Sequence, residues 1–176
     1  MAYFGVINEK FNQSVFDVCY DYSKQICVEY VQRYKPDMQN IDMKKHWQDI
    51  FQQEKDNDKF YIEGYEVIHN GHALPVGYFV AKIKNEQLIC NVFLPAKRAS
   101  TDRPVVVDLN MWDDLMQLTK SLGCKEYIWQ SDKYGRIWKA FKIMAQKLNY
   151  DVTLIENDGF GADVYSEMRL KFKQWL

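Results

Sequence analysis

Apolar residues recur along the chain in two periods, and these periods predict the order of helices and strands. Helical spacing of three and four residues runs through 14–34, 43–51, 109–122 and 137–148. Runs typical of strands cover 3–7, 60–68, 74–83, 88–94, 127–130, 152–155 and 168–172. The order β-α-α-β-β-β-α-β-α-β-β predicts an α+β fold with helices on both faces of a central mixed sheet, an α/β/α three-layer arrangement of about seven strands and about four helices.

Capping and turn residues mark where these elements begin and end. Ser14 and Asp42 can cap the first two helices, and Gly123 can end the third because glycine accepts the left-handed conformation. Asn70-Gly71 separates two strand-like runs, which predicts a hairpin turn with positive φ at both residues. The remaining predicted connections are a short turn at 84–87 and a loop at 157–163 that holds Gly159-Phe160-Gly161.

Length, charge and cysteine usage narrow the class of protein. The 176 residues predict one domain over 1–176, and a formal net charge of -1 offers no general attraction for nucleic acid. The four cysteines are scattered within apolar segments, so we expect buried, reduced thiols and a cytoplasmic location. They are Cys19, Cys27, Cys90 and Cys124. We expect no signal peptide and no membrane segment, because no long apolar run is present.

The stretch NVFLPAKRASTDR, at 91–103, carries the first candidate chemistry. A strand-like run stops at Pro95, two cations follow at Lys97 and Arg98, and a helical pattern begins soon afterwards. A strand, a turn and a helix start form an arrangement that often binds phosphate, because the first turn of a helix presents unpaired N–H groups. The alternative reading is that Lys97 and Arg98 only solvate a loop.

Two short motifs and the order of elements resemble the Gcn5-related N-acetyltransferase (GNAT) family. VFLPAKR, at 92–98, is similar to the end of the family's fourth strand, and AQKLNYDV, at 145–152, is similar to the end of the helix after its fifth strand. The resemblance implies that acetyl-CoA or another acyl-CoA inserts where the family's fourth and fifth strands splay apart. It implies no metal. It implies cofactor contacts from Phe93, Leu94, Lys97, Arg98, Ala99, Ser100 and Thr101.

The sequence departs from the family at the positions that carry its chemistry. Thr101 and Arg103 stand where the family has two loop glycines that let the backbone approach a pyrophosphate. Ala145 stands where the family often has a tyrosine that protonates the departing thiolate, and Trp138 where it has an asparagine.

Three side chains remain as candidates for catalysis. Tyr134 can replace the missing proton donor from the preceding loop, although a tyrosine beside Gly135 is more often an ordinary turn residue. Glu63 and Glu66 can act as a base through water, or they can be charges on an exposed strand face. We expect Asn91 to lie in a buried strand and to satisfy itself by hydrogen bonding.

The histidines do not indicate a metal site, and the aromatic residues indicate a protein partner. His69 and His72 flank a hairpin turn without a third ligand, so we expect no metal site. Five tryptophans and twelve tyrosines exceed what a core of this size needs, which favours an aromatic-rich surface that binds a protein partner.

Two functions therefore remain open. The first is a divergent acyl-CoA-dependent N-acyltransferase. The second is a catalytically inactive GNAT-fold interaction protein, because the chain also resembles divergent, glycine-poor members among bacteriophage proteins, some of which are virion components. That resemblance implies a location in the host cytoplasm or in the virion.

Overall fold

A computed structural model describes residues 2–38, 40–53, 58–101, 103–157 and 166–174. In these residues the strands are β1 Ala2–Asn8, β2 Phe60–Val67, β3 Ala73–Lys84, β4 Gln87–Pro95, β5 Glu126–Ser131, β6 Asp151–Ile155 and β7 Ser166–Lys171. The α-helices are α1 Gln13–Tyr34, α2 Met43–Phe51, α3 Leu109–Ser121 and α4 Arg136–Ala145. The predicted element order is confirmed, and the predicted loop containing Gly159-Phe160-Gly161 lies outside the described residues.

The strands form one mixed sheet in the order β1-β2-β3-β4-β5-β7-β6. Among the strand pairs described, β4 and β5 are parallel, while the other neighbours are antiparallel. The long connection between β4 and β5 contains α3, as a parallel crossover requires. None of the described helices has both the length and the apolar character needed to cross a bilayer.

Two apolar cores, one on each face of the sheet, hold the helices in place. On one face Trp112 of α3 packs against Phe141 of α4 with ring centroids 4.3 Å apart. On the other face Phe16 of α1 and Phe51 of α2 lie 5.4 Å apart, and Phe51 stacks on Tyr78 of β3. The predicted three-layer arrangement is confirmed, and each cysteine is buried as a free thiol.

Helix ends agree with the sequence at two positions and differ at two others. Asp42 caps α2, and Gly123 follows α3 with φ of 75°. The cap of α1 is Asn12 rather than Ser14, since Tyr78 receives the backbone N–H of Asn12 and holds it in an extended conformation. The helix predicted to reach Leu148 ends at Ala145, where bonds between residues three apart replace the α-helical pattern.

Positive φ was predicted at both Asn70 and Gly71, but positive φ at two successive residues occurs in the other hairpin turn. Asn85 and Glu86 have φ of 51° and 59°, the values that a tight two-residue turn between β3 and β4 needs. In the Asn70-Gly71 turn only Gly71 has positive φ, at 82°. The β2–β3 connection is longer, with Ile68 and His72 bonded across it, so it does not require the same conformation at both residues.

Candidate functional site

The parallel strands β4 and β5 separate half-way along β4. Their ladder begins with Gln87 opposite Glu126 and ends with Cys90 opposite Trp129. Beyond this point β4 stays paired with β3 as far as Pro95, while β5 stays paired with β7. The two strands therefore leave a gap at their carboxyl ends, where open α/β sheets bind their ligands.

A β-bulge at Asn91 explains why the strands diverge. Ala81 of β3 lies opposite Cys90, but the next residue along the ladder, Val80, lies opposite Val92. Asn91 is therefore an extra residue in β4, and a bulge bends its strand and increases the local twist. Contrary to the expectation of a buried position, Asn91 is exposed.

A cavity of about 310 Å³ opens at this gap and is bordered by α1 and α2. The last residues of β4 and β5, both of these helices and the first turn of α4 line it. Its apolar wall includes Tyr30, Trp47, Phe93 and Trp129. The indole N–H of Trp47 is buried and has no hydrogen-bond partner among the described residues, so an acceptor in the cavity can bind it.

Ion pairs form the polar wall of the same cavity. Asp132, just after β5, accepts hydrogen bonds from the Tyr34 hydroxyl and from Arg33, whose Nη1 lies 2.5 Å from the carboxylate. Arg136, in the first turn of α4, pairs with Glu29 of α1 at 2.5 Å. Each carboxylate is therefore paired with an arginine, and the two ion pairs join α1 to the β5–α4 region.

Two groups in the wall keep their protons at neutral pH. Burial, followed by the hydrogen bond to Asp132 and the charge of that carboxylate, raises the pKa of Tyr34 far above its ordinary value. Burial raises the pKa of the Cys27 thiol to about 12. Tyr34 is therefore a hydrogen-bond donor here, and Cys27 is an inert thiol rather than a nucleophile.

The β4–α3 loop closes on itself instead of opening toward the cavity. Lys97 forms a β-bridge with Pro104, and the Arg98 N–H donates to the Arg103 carbonyl at 2.9 Å. Among the described residues, the lining of the cavity takes in Phe93 and Leu94 of the predicted cofactor set but not Lys97 to Thr101.

Glu66 of β2 occupies the centre of this loop. Its carboxylate accepts the N–H of Ala99 at 2.7 Å and that of Ser100 at 3.3 Å, and it also accepts the Ser100 hydroxyl. Arg98 Nε lies 3.4 Å from the same carboxylate, which is 1% exposed. Burial alone would raise the pKa of Glu66, but these hydrogen bonds and the Arg98 charge hold the pKa below its ordinary value.

A second carboxylate of the chain, that of Asp108, lies at the N-terminus of α3. Asp108 caps the helix by accepting the Asn110 N–H at 2.9 Å, and it pairs with the Arg98 guanidinium. Arg98 is thus shared by Glu66 and Asp108. The donors and charges that a diphosphate needs are already used within the chain, so this loop as built does not fit that part of coenzyme A.

The remaining catalytic candidates, Glu63 and Tyr134, are not among the residues that line the cavity. Glu63 is 2% exposed, and it accepts Asn12 Nδ2 at 3.3 Å and the Tyr65 hydroxyl at 2.5 Å. Tyr134 is 42% exposed, and its N–H donates to Asp132 at 3.1 Å. The alternative that Glu63 and Glu66 are exposed-face charges is wrong, because both are buried.

No proton donor faces the gap from the two family positions on α4. Trp138 is fully buried and donates its indole N–H to Glu156 at 2.8 Å, and Ala145 is buried. His69 and His72 are both exposed at their turn. In the part of the chain that is described, no three histidine, cysteine or acidic side chains gather as metal ligands would.

Solved structures of acetyltransferases share this architecture over nearly their whole length. The PaiA N-acetyltransferase from Thermoplasma acidophilum, in complex with coenzyme A, superposes with a TM-score of 0.51 at 11% identity, covering 95% of this chain and 98% of that one. AAC(6')-Ib, in complex with paromomycin and acetyl-CoA, gives a TM-score of 0.55 at 10% identity, covering 97% and 93%. The chain has the GNAT fold.

The likeness to these proteins concerns the fold alone, because sequence identity is so low. Aminoglycoside 6'-acetyltransferase type Ii repeats the pattern, with a TM-score of 0.50, 11% identity and coverage of 97% and 99%. No protein-family model matches the sequence, and no curated protein matches it either. The GNAT fold predicted from the element order is therefore confirmed, whereas the residue roles implied by the resemblance stay predictions.

Within this GNAT fold, sequence reasoning missed the polar wall of the cavity. Arg33 and Asp132 are 99 residues apart, and no spacing in the sequence connects them. One signal was present for Asp132, because it directly follows β5, and residues just after parallel strands face the ligand crevice. Trp47 gave no such signal, since its helical spacing indicates only a core position.

Proposed function

We propose that the protein is an acyl-CoA-dependent N-acyltransferase that receives the acyl-thioester end of its donor in the β4–β5 gap. The observation that carries the proposal is the end of the ladder at Cys90 and Trp129, where the cavity opens. Phe93 and Leu94 line the gap and offer apolar contact to the chain that leads to the thioester. The GNAT fold, shared with acetyltransferases that bind coenzyme A and acetyl-CoA, supports this proposal.

The contribution of β4 to catalysis is positioning and polarisation. Beyond Cys90 its backbone groups on the β5 side have no partner in the ladders between the described strands, so an N–H there can donate to the thioester carbonyl. The amine attacks the carbonyl carbon, the carbon–sulfur bond breaks, and the thiolate takes up a proton as the amine loses one. Since a thioester is reactive, holding both partners together supplies most of the acceleration.

The acceptor amine approaches from the cavity. Glu29 and Asp132 lie on its wall, but each carboxylate is already paired with an arginine, so an ammonium group gains little attraction from their charge. Tyr30 and Trp47 form an aromatic face in the same cavity, with ring centroids 5.4 Å apart. Such rings favour the cationic form of an amine.

A variant that fills the gap tests the proposal. Asn91→Phe adds a large side chain at an exposed position of the cavity wall, and we expect the affinity for acetyl-CoA in calorimetry to fall about tenfold or more. The matched control is Lys84→Phe, an exposed change at the end of β3 and outside the described cavity wall. Absence of heat with the unmodified protein, or equal affinity in all three proteins, would contradict the proposal.

The second candidate is a catalytically inactive GNAT-fold interaction protein or virion component of a bacteriophage. The filled β4–α3 loop and the absence of a hydroxyl at Trp138 and Ala145 favour it. An assay of thiol release from acetyl-CoA over a panel of amines separates the two functions. Release above the rate without enzyme excludes the inactive candidate, whereas no release, together with this protein in purified virions by mass spectrometry, supports it.

A further inference from the structure

The β4–α3 loop is an anion-binding loop whose anion is part of the chain. Two backbone N–H groups, from Ala99 and Ser100, the Ser100 hydroxyl and the Arg98 guanidinium converge on Glu66. This set of donors is the kind that a phosphate group uses. Because Glu66 is almost completely buried, the carboxylate is a permanent part of the loop rather than a side chain that visits it.

A diphosphate cannot use these donors while Glu66 remains in place. It would meet the negative charges of Glu66 and Asp108, and both already share Arg98. Displacing Glu66 would leave a buried carboxylate without its partners, which is strongly unfavourable. The nucleotide end of coenzyme A therefore gains little from this loop.

The acyl-pantetheine end of the donor would bind in the β4–β5 gap rather than at the β4–α3 loop. The gap beyond Cys90 is open, and Phe93 and Leu94 line it together with the last residues of β5. None of these groups is engaged by Glu66 or Asp108. The features that can hold an acyl-pantetheine arm and the features that would hold a nucleotide are thus separate in this chain.

We propose that the donor is recognised as an acyl-pantetheine thioester and that its nucleotide contributes almost nothing to binding, because Glu66 fills the loop that would hold the diphosphate. This inference rests on the proposed function, since it concerns the donor of that same reaction. It extends the donor class from acyl-CoA to any acyl-pantetheine, whether small or attached to a larger carrier.

Calorimetry on the unmodified protein tests the inference directly. S-acetylpantetheine and acetyl-CoA, compared at the same ionic strength, should bind with dissociation constants within about threefold of each other. Adenosine 3',5'-bisphosphate, the nucleotide probe, should give no heat. Binding of acetyl-CoA tighter by about tenfold or more, or binding of the nucleotide probe, would overturn the inference.

Glu66→Gln provides the complementary measurement. The amide cannot accept all the donors that surround the carboxylate, so the loop gains unpaired N–H groups and a less neutralised Arg98. We expect the affinity for acetyl-CoA to rise about tenfold while that for S-acetylpantetheine stays unchanged. Glu63→Gln is the matched control, because Glu63 is a buried carboxylate on the same strand with described contacts outside the loop.

The outcomes separate this inference from the proposed function. If neither thioester binds, the proposed function fails, and the donor class fails with it. If both bind and acetyl-CoA binds clearly more tightly, the inference about the donor class fails while the proposed function stands. An equal change for both thioesters in Glu66→Gln would also overturn it, and the comparison on the unmodified protein decides the question even if that variant does not fold.

Discussion

At the scale of single residues, Glu66 shows how a buried charge is stabilised by its surroundings. Burial opposes the charged form, but hydrogen bonds from Ser100 and Ala99 and the charge of Arg98 outweigh it, so its pKa is lowered. A carboxylate whose pKa is lower in the folded state stabilises the fold above its unfolded pKa, and this contribution is lost as the pH falls through the folded pKa.

The lowered pKa leads to a prediction about pH and stability. We expect Glu66→Gln to lower the free energy of unfolding at neutral pH by about 2–4 kcal/mol, because removal of one partner leaves buried donors unpaired. Below the ordinary glutamate pKa of about 4.3, the difference from the unmodified protein should shrink as Glu66 takes up its proton. Urea unfolding at neutral pH and near about pH 3 measures both effects.

A difference that stays constant over this pH range would contradict the role of the Glu66 charge. The matched buried carboxylate, Glu63, has hydrogen bonds from Asn12 and Tyr65 but no ion pair among the described contacts. Glu63→Gln therefore separates the loss of a hydrogen-bonded carboxylate from the loss of the loop's own anion.

Gly64 is a second residue whose identity depends on tertiary packing, because the fold leaves no room for a Cβ there. A Cβ at Gly64 would lie 2.2 Å from the ring of Phe4, which is 1% exposed and packs edge-on against Phe79. We expect Gly64→Ala to destabilise the protein by about 1–3 kcal/mol through overpacking, measured by thermal or urea unfolding. Gly5→Ala is the control, because no atom of the described residues outside its chain neighbours lies within 4 Å of the added Cβ, and an equal loss in both variants would contradict this explanation.

At the scale of elements, the start of α3 combines two roles in one side chain. Asp108 caps the helix through the Asn110 N–H, and it also pairs with Arg98 of the β4–α3 loop. The loop and the helix are thus joined by one carboxylate, which is mostly buried. A helix cap in an exposed position has only the first of these roles.

Substitutions at Asp108 can separate the two roles. We expect Asp108→Ala to lower the free energy of unfolding by about 2–3 kcal/mol, because both the cap and one Arg98 partner are lost. Asp108→Asn keeps a capping oxygen and should lose less. The control is Asp42→Ala at the exposed cap of α2, with an expected loss of about 1 kcal/mol in urea unfolding. Equal losses at the two caps would show that the Arg98 pair contributes nothing.

The bulge in β4 is the other element-scale feature that shapes the site. One extra residue, Asn91, ends the ladder with β5 while the ladder with β3 continues to Pro95. A strand pattern cannot reveal this, because the apolar run through 88–94 reads the same with or without a bulge. Only the registers of the two neighbouring strands locate it.

At the scale of the whole molecule, the gap divides the sheet into two parts that meet along a short ladder. That ladder extends only from Gln87 to Cys90 on β4. We expect hydrogen–deuterium exchange to be faster on average at 91–94 than at 87–90, since this segment keeps its ladder with β3 but has none with β5, and amides outside a ladder exchange more readily. Adding S-acetylpantetheine should slow exchange at 91–94 while leaving the continuous β2–β3 hairpin unchanged. Uniform protection along β4, with or without ligand, would contradict an open gap.

Local signals in the sequence were sufficient for most of the fold. Periodicity predicted the strands and helices in order, and local chemistry identified the Asp42 cap and the Gly123 end of α3. Local chemistry alone misjudged the α1 cap, because Tyr78 selects Asn12 from a distant strand. The GNAT fold was predicted through a resemblance, because the order of elements and the motifs at 92–98 and 145–152 are similar to that family.

The candidate site was only partly predictable. The sequence by itself determined the element order, the break after β4 and the cations that follow it, because these depend on neighbouring residues. Tertiary structure alone decided that Glu66 would fill the loop, that Asn91 would open the gap and that Arg33 would meet Asp132. The physical reason is that hydrogen bonds and charges act through space, and these partners are brought together only when the sheet has formed.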